Sequence, residues 1–276
     1  QCSVNPRFNR EKRVPLILPV TGHPKHLVIV GGGPAGITCA LTASRRGHQV
    51  TLLEKEPVLT GKLNIACHGE HKADLRRFRD YLLTQLRKSS VTVHTGVLAD
   101  TDVVRDLKPD ALVIAVGATP SRIPLPGVDG DNCMQISEFL QSPDTSLQHY
   151  IIIGGGSVGC ETALDLAEKG KDVSIIEMAD CLASASNDLY RLALSEHFAR
   201  YDNLHTYLNS ACQSIDADGV NVLTNGASTH ISGDKVLLSL GFRPDAKQVS
   251  SLYGIVPDTY YVGDCERVAT VAEAVN

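Results

Sequence analysis

The sequence repeats itself at a fixed offset, and that repeat constrains the fold more than any other feature. An apolar run at 27–30 leads into Gly31-Gly32-Gly33-Pro34-Ala35-Gly36, and a second at 150–153 leads into Gly154-Gly155-Gly156-Ser157-Val158-Gly159, an offset of 154 − 31 = 123. Kept without a gap, the offset pairs Ala40 with Ala163, Leu41 with Leu164, Gly47 with Gly170, Val50 with Val173 and Glu54 with Glu177. Each copy is an apolar strand, a Gly loop and a helix with an apolar face (Ile37, Ala40, Leu41; Ala163, Leu164, Ala167). A Gly then stops the helix, and a second buried strand ends in an acid. That order is a βαβ unit, because parallel strands need a crossover, usually a helix.

The repeat extends further. Residues 112–120 echo 236–244 at an offset of 124, and a Pro-rich boundary falls at 120–130. A final strand at 260–262 has no counterpart between the copies, which predicts that the chain returns to complete its first domain. The expected fold is α/β, with two Rossmann-like dinucleotide-binding domains, one inserted in the other. The expected bounds are an arm at 1–24, one domain at 25–122 and 250–276, and the other at 123–249.

The loops explain what such domains bind. A pyrophosphate must approach backbone N–H groups at the positive end of a helix. Gly31 makes the tight turn, Gly33 keeps a Cβ out of the way of the phosphates, and Gly36 lets helix and strand approach; Gly154, Gly156 and Gly159 do the same in the second copy. Pro34 and Ala35, and Ser157 and Val158, complete the loops. Glu54 and Glu177, each 23 residues after the first Gly, can accept from a ribose 2′-OH. A carboxylate at 177 with no Arg after it disfavours a 2′-phosphate, so NADH is expected over NADPH. Two segments stay open on composition. Asp264, in Gly263-Asp264, either bonds the ribitol of a flavin or caps the helix expected from about Val268. Glu161 either faces a nicotinamide or stabilises the dipole of its own helix.

Composition narrows the partners. A formal charge of −5 with no long basic block argues against nucleic acid, and the basic clusters at 10–13 and 76–79 read as solvated faces. No run nears the roughly 18 apolar residues of a membrane helix. Eight cysteines occur singly, with no CxxC and no leader, which suits a reducing, cytoplasmic setting. The histidines show no metal-ligand spacing. Gln1 in place of Met, and Asn276 interrupting a helix, suggest a piece of a longer polypeptide.

Together these segments resemble the two-dinucleotide-binding flavoprotein superfamily that includes the pyridine nucleotide disulfide reductases. Ala115-Val116-Gly117-Ala118-Thr119-Pro120 is similar to its linker motif, and Gly263-Asp264 to its flavin-closing motif. A narrower likeness lies in Cys2-Ser3-Val4-Asn5-Pro6-Arg7, Gly61-Lys62-Leu63-Asn64-Ile65-Ala66, Ile123-Pro124-Leu125-Pro126-Gly127 and Gly159-Cys160-Glu161-Thr162-Ala163. These resemble the C-terminal half of iron-sulfur flavoenzymes of the old yellow enzyme class, such as 2,4-dienoyl-CoA and 2-enoate reductases.

That resemblance implies FAD at Gly31, Gly33, Pro34, Ala35, Gly36, Glu54, Lys55, Lys62, Leu63, Ala115, Gly117, Gly263 and Asp264. It implies NADH at Gly154, Gly156, Ser157, Val158, Gly159, Glu161 and Glu177. Hydride would pass from NADH to FAD, and single electrons through a 4Fe-4S cluster to FMN in an upstream barrel that reduces an enoate or enoyl-CoA C=C bond. Cys2 would be the fourth cluster ligand. The stretch Cys67-His68-Gly69-Glu70-His71 departs from the family's Pro-rich step. Hydride transfer needs positioning rather than acid or base catalysis, so no catalytic residue is nominated. The rivals are a thiol-dependent NADH oxidase or disulfide reductase, with Cys67 the candidate thiol, and a non-catalytic nucleotide-binding or docking domain.

Overall fold

A computed structural model describes residues 4–5, 7–69 and 72–275. The chain forms two compact units, residues 1–119 with 242–276, and residues 120–241.

The first unit opens with β1 (His26–Val30), α1 (Pro34–Arg45), β2 (Gln49–Glu54), α2 (Leu63–Ala66), α3 (Ala73–Arg87), β3 (Thr92–Thr95), α4 (Thr101–Asp106), β4 (Ala111–Ile114) and β5 (Ala118–Pro120). The second contains β6 (Cys133–Gln135), α5 (Ile136–Gln141), β7 (His149–Ile153), α6 (Ser157–Glu168), β8 (Asp172–Ile176), α7 (Asp188–Phe198), β9 (Leu204–Tyr207), β10 (Ser210–Asp216), β11 (Gly219–Thr224), β12 (Ala227–Ser232) and β13 (Lys235–Leu238). The chain then re-enters the first unit through β14 (Phe242–Pro244), α8 (Ala246–Leu252), β15 (Thr259–Tyr261) and α9 (Val271–Val275). Among the described residues this is the expected α/β architecture of two parallel-sheet domains, one interrupting the other.

The first sheet has the order β15-β4-β1-β2-β3 and the second β6-β13-β7-β8-β9, both parallel. The returning strand β15 joins β4 at the edge of the first sheet. In each sheet the first strand lies between the second strand of its βαβ unit and a later strand. Strand order therefore reverses at the carboxyl ends of β1 and β7, where open α/β sheets place ligands.

Period-2 alternation sets the packing. Ile29 packs with α1 and α3 on one face, with Phe78, Leu82 and Leu86, while Val28 and Val30 pack on the other with Val104, Leu112 and Leu252. In the second unit Ile152 faces the helices, and Ile151 and Ile153 face an antiparallel ribbon β10-β11-β12 through Val220, Val222 and Ile231. Each fully buried Ile or Leu contributes about 1.5–3 kcal/mol relative to an exposed one.

Helix ends follow the expected stops. Gly47 (φ +88°) donates its N–H to Ser44 O at 2.9 Å, and Gly170 (φ +75°) to Ala167 O at 2.9 Å. The last helix begins at Val271, not near Val268. Thr270 Oγ1 accepts from Ala272 N–H, and Glu273 turns back to accept from Thr270 N–H, so the start lies at Thr270. No helix among the described residues is long and apolar enough to cross a membrane. The described cysteines carry no disulfide.

Candidate functional site

In each unit the first strand of the repeated βαβ segment, β1 or β7, ends in a Gly loop, and the two loops are built alike. Gly31 (φ +113°) donates to Leu53 O at 2.8 Å, and Gly154 (φ +107°) to Ile176 O at 2.8 Å. A Cβ on Gly36 would lie 1.9 Å from Gly31 O, and one on Gly159 would lie 2.3 Å from Gly154 O, so neither position tolerates a side chain. Gly33 and Gly156 have nothing within 4 Å of a built Cβ, which leaves room for a phosphate. Both are N-caps without a side-chain cap bond. By contrast α4, α7 and α8 are capped by Asp100, Asn187 and Asp245. The positive ends of α1 and α6 are thus left to a ligand's anion, and the residues present fit a pyrophosphate.

The two acids have partners that spacing alone did not suggest. Glu54 Oε2 accepts from Gly32 N–H at 2.6 Å and Oε1 from Glu56 N–H at 2.9 Å. Glu177 Oε2 accepts from Gly155 N–H at 2.6 Å and Oε1 from Ala179 N–H at 2.8 Å. Each carboxylate braces its loop, with lone pairs remaining for a ribose hydroxyl.

A second layer lies around the first loop, part of it shared with the second unit and part its own. Thr60 N–H donates to Gly32 O at 2.7 Å, Gly61 comes against Gly33, and Leu63 is buried beneath. Lys62 Nζ lies 3.3 Å from Asp264 Oδ2 and 4.0 Å from the centroid of the Phe242 ring. Burial lowers the lysine's pKa, opposed by Asp264. Gly263 (φ +74°) approaches Ala35 so closely that a Cβ there would lie 2.7 Å from Ala35 Cβ, which sets the Gly-Asp turn on the first turn of α1. Asp264 Oδ1 also accepts from Ala269 N–H at 3.2 Å, before α9 begins. Ala115 O lies under Gly31, where a Cβ would come within 2.2 Å, and Gly117 turns at φ +74° just beyond. Lys55 is exposed beside Glu54.

The second unit carries different groups. Ser157 Oγ is 2.9 Å from Ser186 Oγ, and Tyr190 Oη donates to Glu161 Oε1 at 3.0 Å. Val158 is 42% exposed at the head of α6. The Cys160 thiol is pushed up to about 12, by burial first and then by Glu161 and Glu177. Burial likewise raises the Cys67 thiol, which is 4% exposed, opposite to what a thiolate nucleophile needs. Cys2, Glu70 and His71 lie outside the described residues.

Sequence reasoning missed several parts of the loops that the same offset would have found. Leu59 and Leu182 (182 − 59 = 123) each put a Cδ2 within 2.5 Å of a Cβ built on Gly32 or Gly155. Thr60 (φ +76°) and Ala183 (φ +48°) each donate N–H to that Gly's carbonyl at 2.7 Å. Asn64 and Asn187 follow at the same spacing. Tyr190 and Phe242 had no sequence signal.

Two parallel-sheet units, each with an uncapped Gly-loop helix, define a protein of the two-nucleotide α/β class. Residues 25–276 match the pyridine nucleotide-disulphide oxidoreductase family, and the chain belongs to it, as an FAD-dependent oxidoreductase module. It is 33% identical over 290 residues to an NADH oxidase of Thermoanaerobacter brockii, spanning 100% of this chain and 43% of that protein. It is 32% identical to a bilirubin reductase of Mediterraneibacter gnavus, spanning 91% of this chain and 39% of that one. A 2-naphthoyl-CoA reductase structure superposes at a TM-score of 0.91 with 28% identity, over 99% of this chain and 42% of that one. The likeness to old yellow enzyme-class flavoenzymes is thereby borne out. The chain spans about two fifths of the length of these relatives.

Proposed function

We propose that the first cradle holds FAD, the second holds NADH, and the chain is the NADH-oxidising part of a larger flavoenzyme. The observation that carries the assignment is the unequal furnishing of the loops. Both loops share the turn that starts at Thr60 or Ala183, but only the first is also covered by Lys62 and by a Gly-Asp turn from the far end of the chain. That enclosure suits a resident cofactor. The second leaves Val158 exposed at the helix head, which suits a nucleotide that must come and go.

When bound, FAD supplies a two-electron acceptor for hydride from NADH and can pass electrons on singly. The chain's own residues bind and orient. Gly31, Gly33, Pro34, Ala35 and Gly36 receive the FAD pyrophosphate, with Glu54 on its ribose and Asp264 on the ribitol. Lys55, Lys62, Leu63, Ala115 and Gly117 line the remainder. Gly154, Gly156, Ser157, Val158 and Gly159 receive the NADH pyrophosphate, Glu177 holds its ribose and disfavours NADPH, and Glu161 meets the nicotinamide. The likeness to old yellow enzyme-class flavoenzymes, in relatives more than twice this chain's length, is the ground for proposing an upstream barrel with FMN and a 4Fe-4S cluster, with Cys2 as one ligand and an enoate or enoyl-CoA C=C bond as the final acceptor. A reducing, cytoplasmic compartment suits its unpaired thiols. The buried Cys67 thiol weighs against a disulfide reductase.

The test is anaerobic stopped-flow mixing of the full-length holoenzyme with NADH. Rapid bleaching of the yellow chromophore is expected. Nucleotide binding without bleaching would leave only a docking domain.

A further inference from the structure

Tyr190 stands on the first turn of α7, outside the Gly loop, yet its hydroxyl donates to Glu161 on α6 at 3.0 Å and also meets the Ser157 side chain. Its backbone N–H donates to the Asn187 cap at 2.9 Å. Ser186 and Ser157 add a second tie between the same two helix heads. Tyr190 is therefore held at both ends, and it ties down one oxygen of the Glu161 carboxylate. Burial, and then the adjacent Glu161 carboxylate, raise the phenol's pKa, so the hydroxyl stays a donor at working pH. A carboxylate offers about four lone-pair positions, more than the phenol occupies.

The internal repeat shows that this pair is not part of the shared loop. At the offset of 123, Glu161 corresponds to Thr38 and Tyr190 to Cys67. Thr38 Oγ1 is buried without a hydrogen-bond partner, and Cys67 is a buried thiol. What the copies have in common builds a pyrophosphate cradle. What only the second copy has is available to read its own ligand.

We propose that Tyr190 is a specificity-determining positioning residue. By fixing Glu161 in the second turn of α6, it makes that carboxylate an acceptor for the carboxamide N–H of a nicotinamide, and so selects against dinucleotides of the same shape that lack this donor. The inference rests on the second cradle being the NADH site. An acceptor set in advance loses little freedom on binding, whereas a loose carboxylate must be ordered each time.

Calorimetry on the full-length holoenzyme tests this with three oxidised or inert probes: NAD+, its 3-acetylpyridine analogue, in which a methyl replaces the amide nitrogen, and ADP-ribose, which has no nicotinamide. Wild-type protein should bind NAD+ at least about tenfold more tightly than the analogue. Tyr190→Phe should bring that ratio below about threefold and leave ADP-ribose affinity unchanged. Glu161→Ala should abolish the preference and provides a second route if the Phe variant folds poorly. A ratio unchanged in Tyr190→Phe, whatever Glu161→Ala does, or equal weakening of all three probes, overturns the role of Tyr190. Failure of ADP-ribose to compete with NAD+ in the wild type removes the NADH-site reading itself, and the proposal with it.

Discussion

The two units share a loop almost atom for atom and differ in what surrounds it. In both, a carboxylate at the end of the second strand accepts the N–H of the loop's middle Gly at 2.6 Å, and a left-handed residue donates to the same Gly's carbonyl at 2.7 Å. Glu54 is buried, at 7% exposed, whereas Glu177 is half-buried. The first loop has acquired Lys62 and Asp264, the second Glu161 and Tyr190. A repeated backbone thus fixes the shared requirement, a pyrophosphate at a helix head, and unshared side chains divide the roles.

The largest test of that division is a pair of matched substitutions. A Cβ at position 36 or 159 meets backbone oxygen far inside contact distance, which puts the cost at the upper end of the roughly 1–3 kcal/mol typical of overpacking. Gly36→Ala should purify without FAD. Gly159→Ala should stay yellow but need on the order of 100-fold more NADH to bleach. Absorbance spectra and anaerobic titration decide it, and the reverse pattern would exchange the two assignments.

A smaller contrast is expected at the acids. Glutamine keeps one acceptor and turns its amide donor toward a backbone N–H, which costs about 1.5–3 kcal/mol when buried. Glu54→Gln should loosen FAD about tenfold and lower the melting temperature. The half-buried Glu177→Gln should show roughly half that penalty, read as NADH affinity.

Alkaline pH should separate the units next. Cys160 is raised to about 12, and Cys133 and Cys212 to about 11, all by burial first and all in the second unit. A folded pKa above the unfolded one favours the neutral thiol in the native state. Its stabilisation is whole below the unfolded value near 9.0 and declines as pH rises toward the folded one. For Cys160 the loss at pH 10 is about 1–2 kcal/mol. Denaturant melts from pH 7 to 10 should fall, and Cys160→Ala should flatten the fall.

The smallest effect concerns the left-handed residues. Glycine in place of Ala183 (φ +48°) relieves about 1 kcal/mol of strain and loses one buried methyl, so the net change should stay within about 0.5 kcal/mol. Thr60→Gly also loses a hydroxyl that donates to Leu59 O or Asn64 Oδ1, and should be destabilising by about 1 kcal/mol. Thermal unfolding of the two variants checks the difference.

Much of the fold was legible because the repeat is gapless from the first Gly to the acid and because strand burial leaves a period of two. The start of α9 was misplaced by three residues, since a capping Thr270 outweighs the apolar pattern before it. Within the loops, Leu59, Thr60 and Asn64 carried a readable signal at the same offset. Phe242 did not, because its ring meets Lys62 only through a contact that spans 180 residues.

Local chemistry in the chain determined the two Gly turns, their helices and the acids that follow, since each depends on neighbours within a few dozen residues. Only the tertiary structure decided that the acids brace their own loops, that Asp264 meets Lys62, and that Tyr190 holds Glu161. Those pairings depend on which side chains the sheets bring together, a relation that helical or strand periodicity does not record, whether the partners stand 22 residues apart, as Gly32 and Glu54 do, or 202, as Lys62 and Asp264 do.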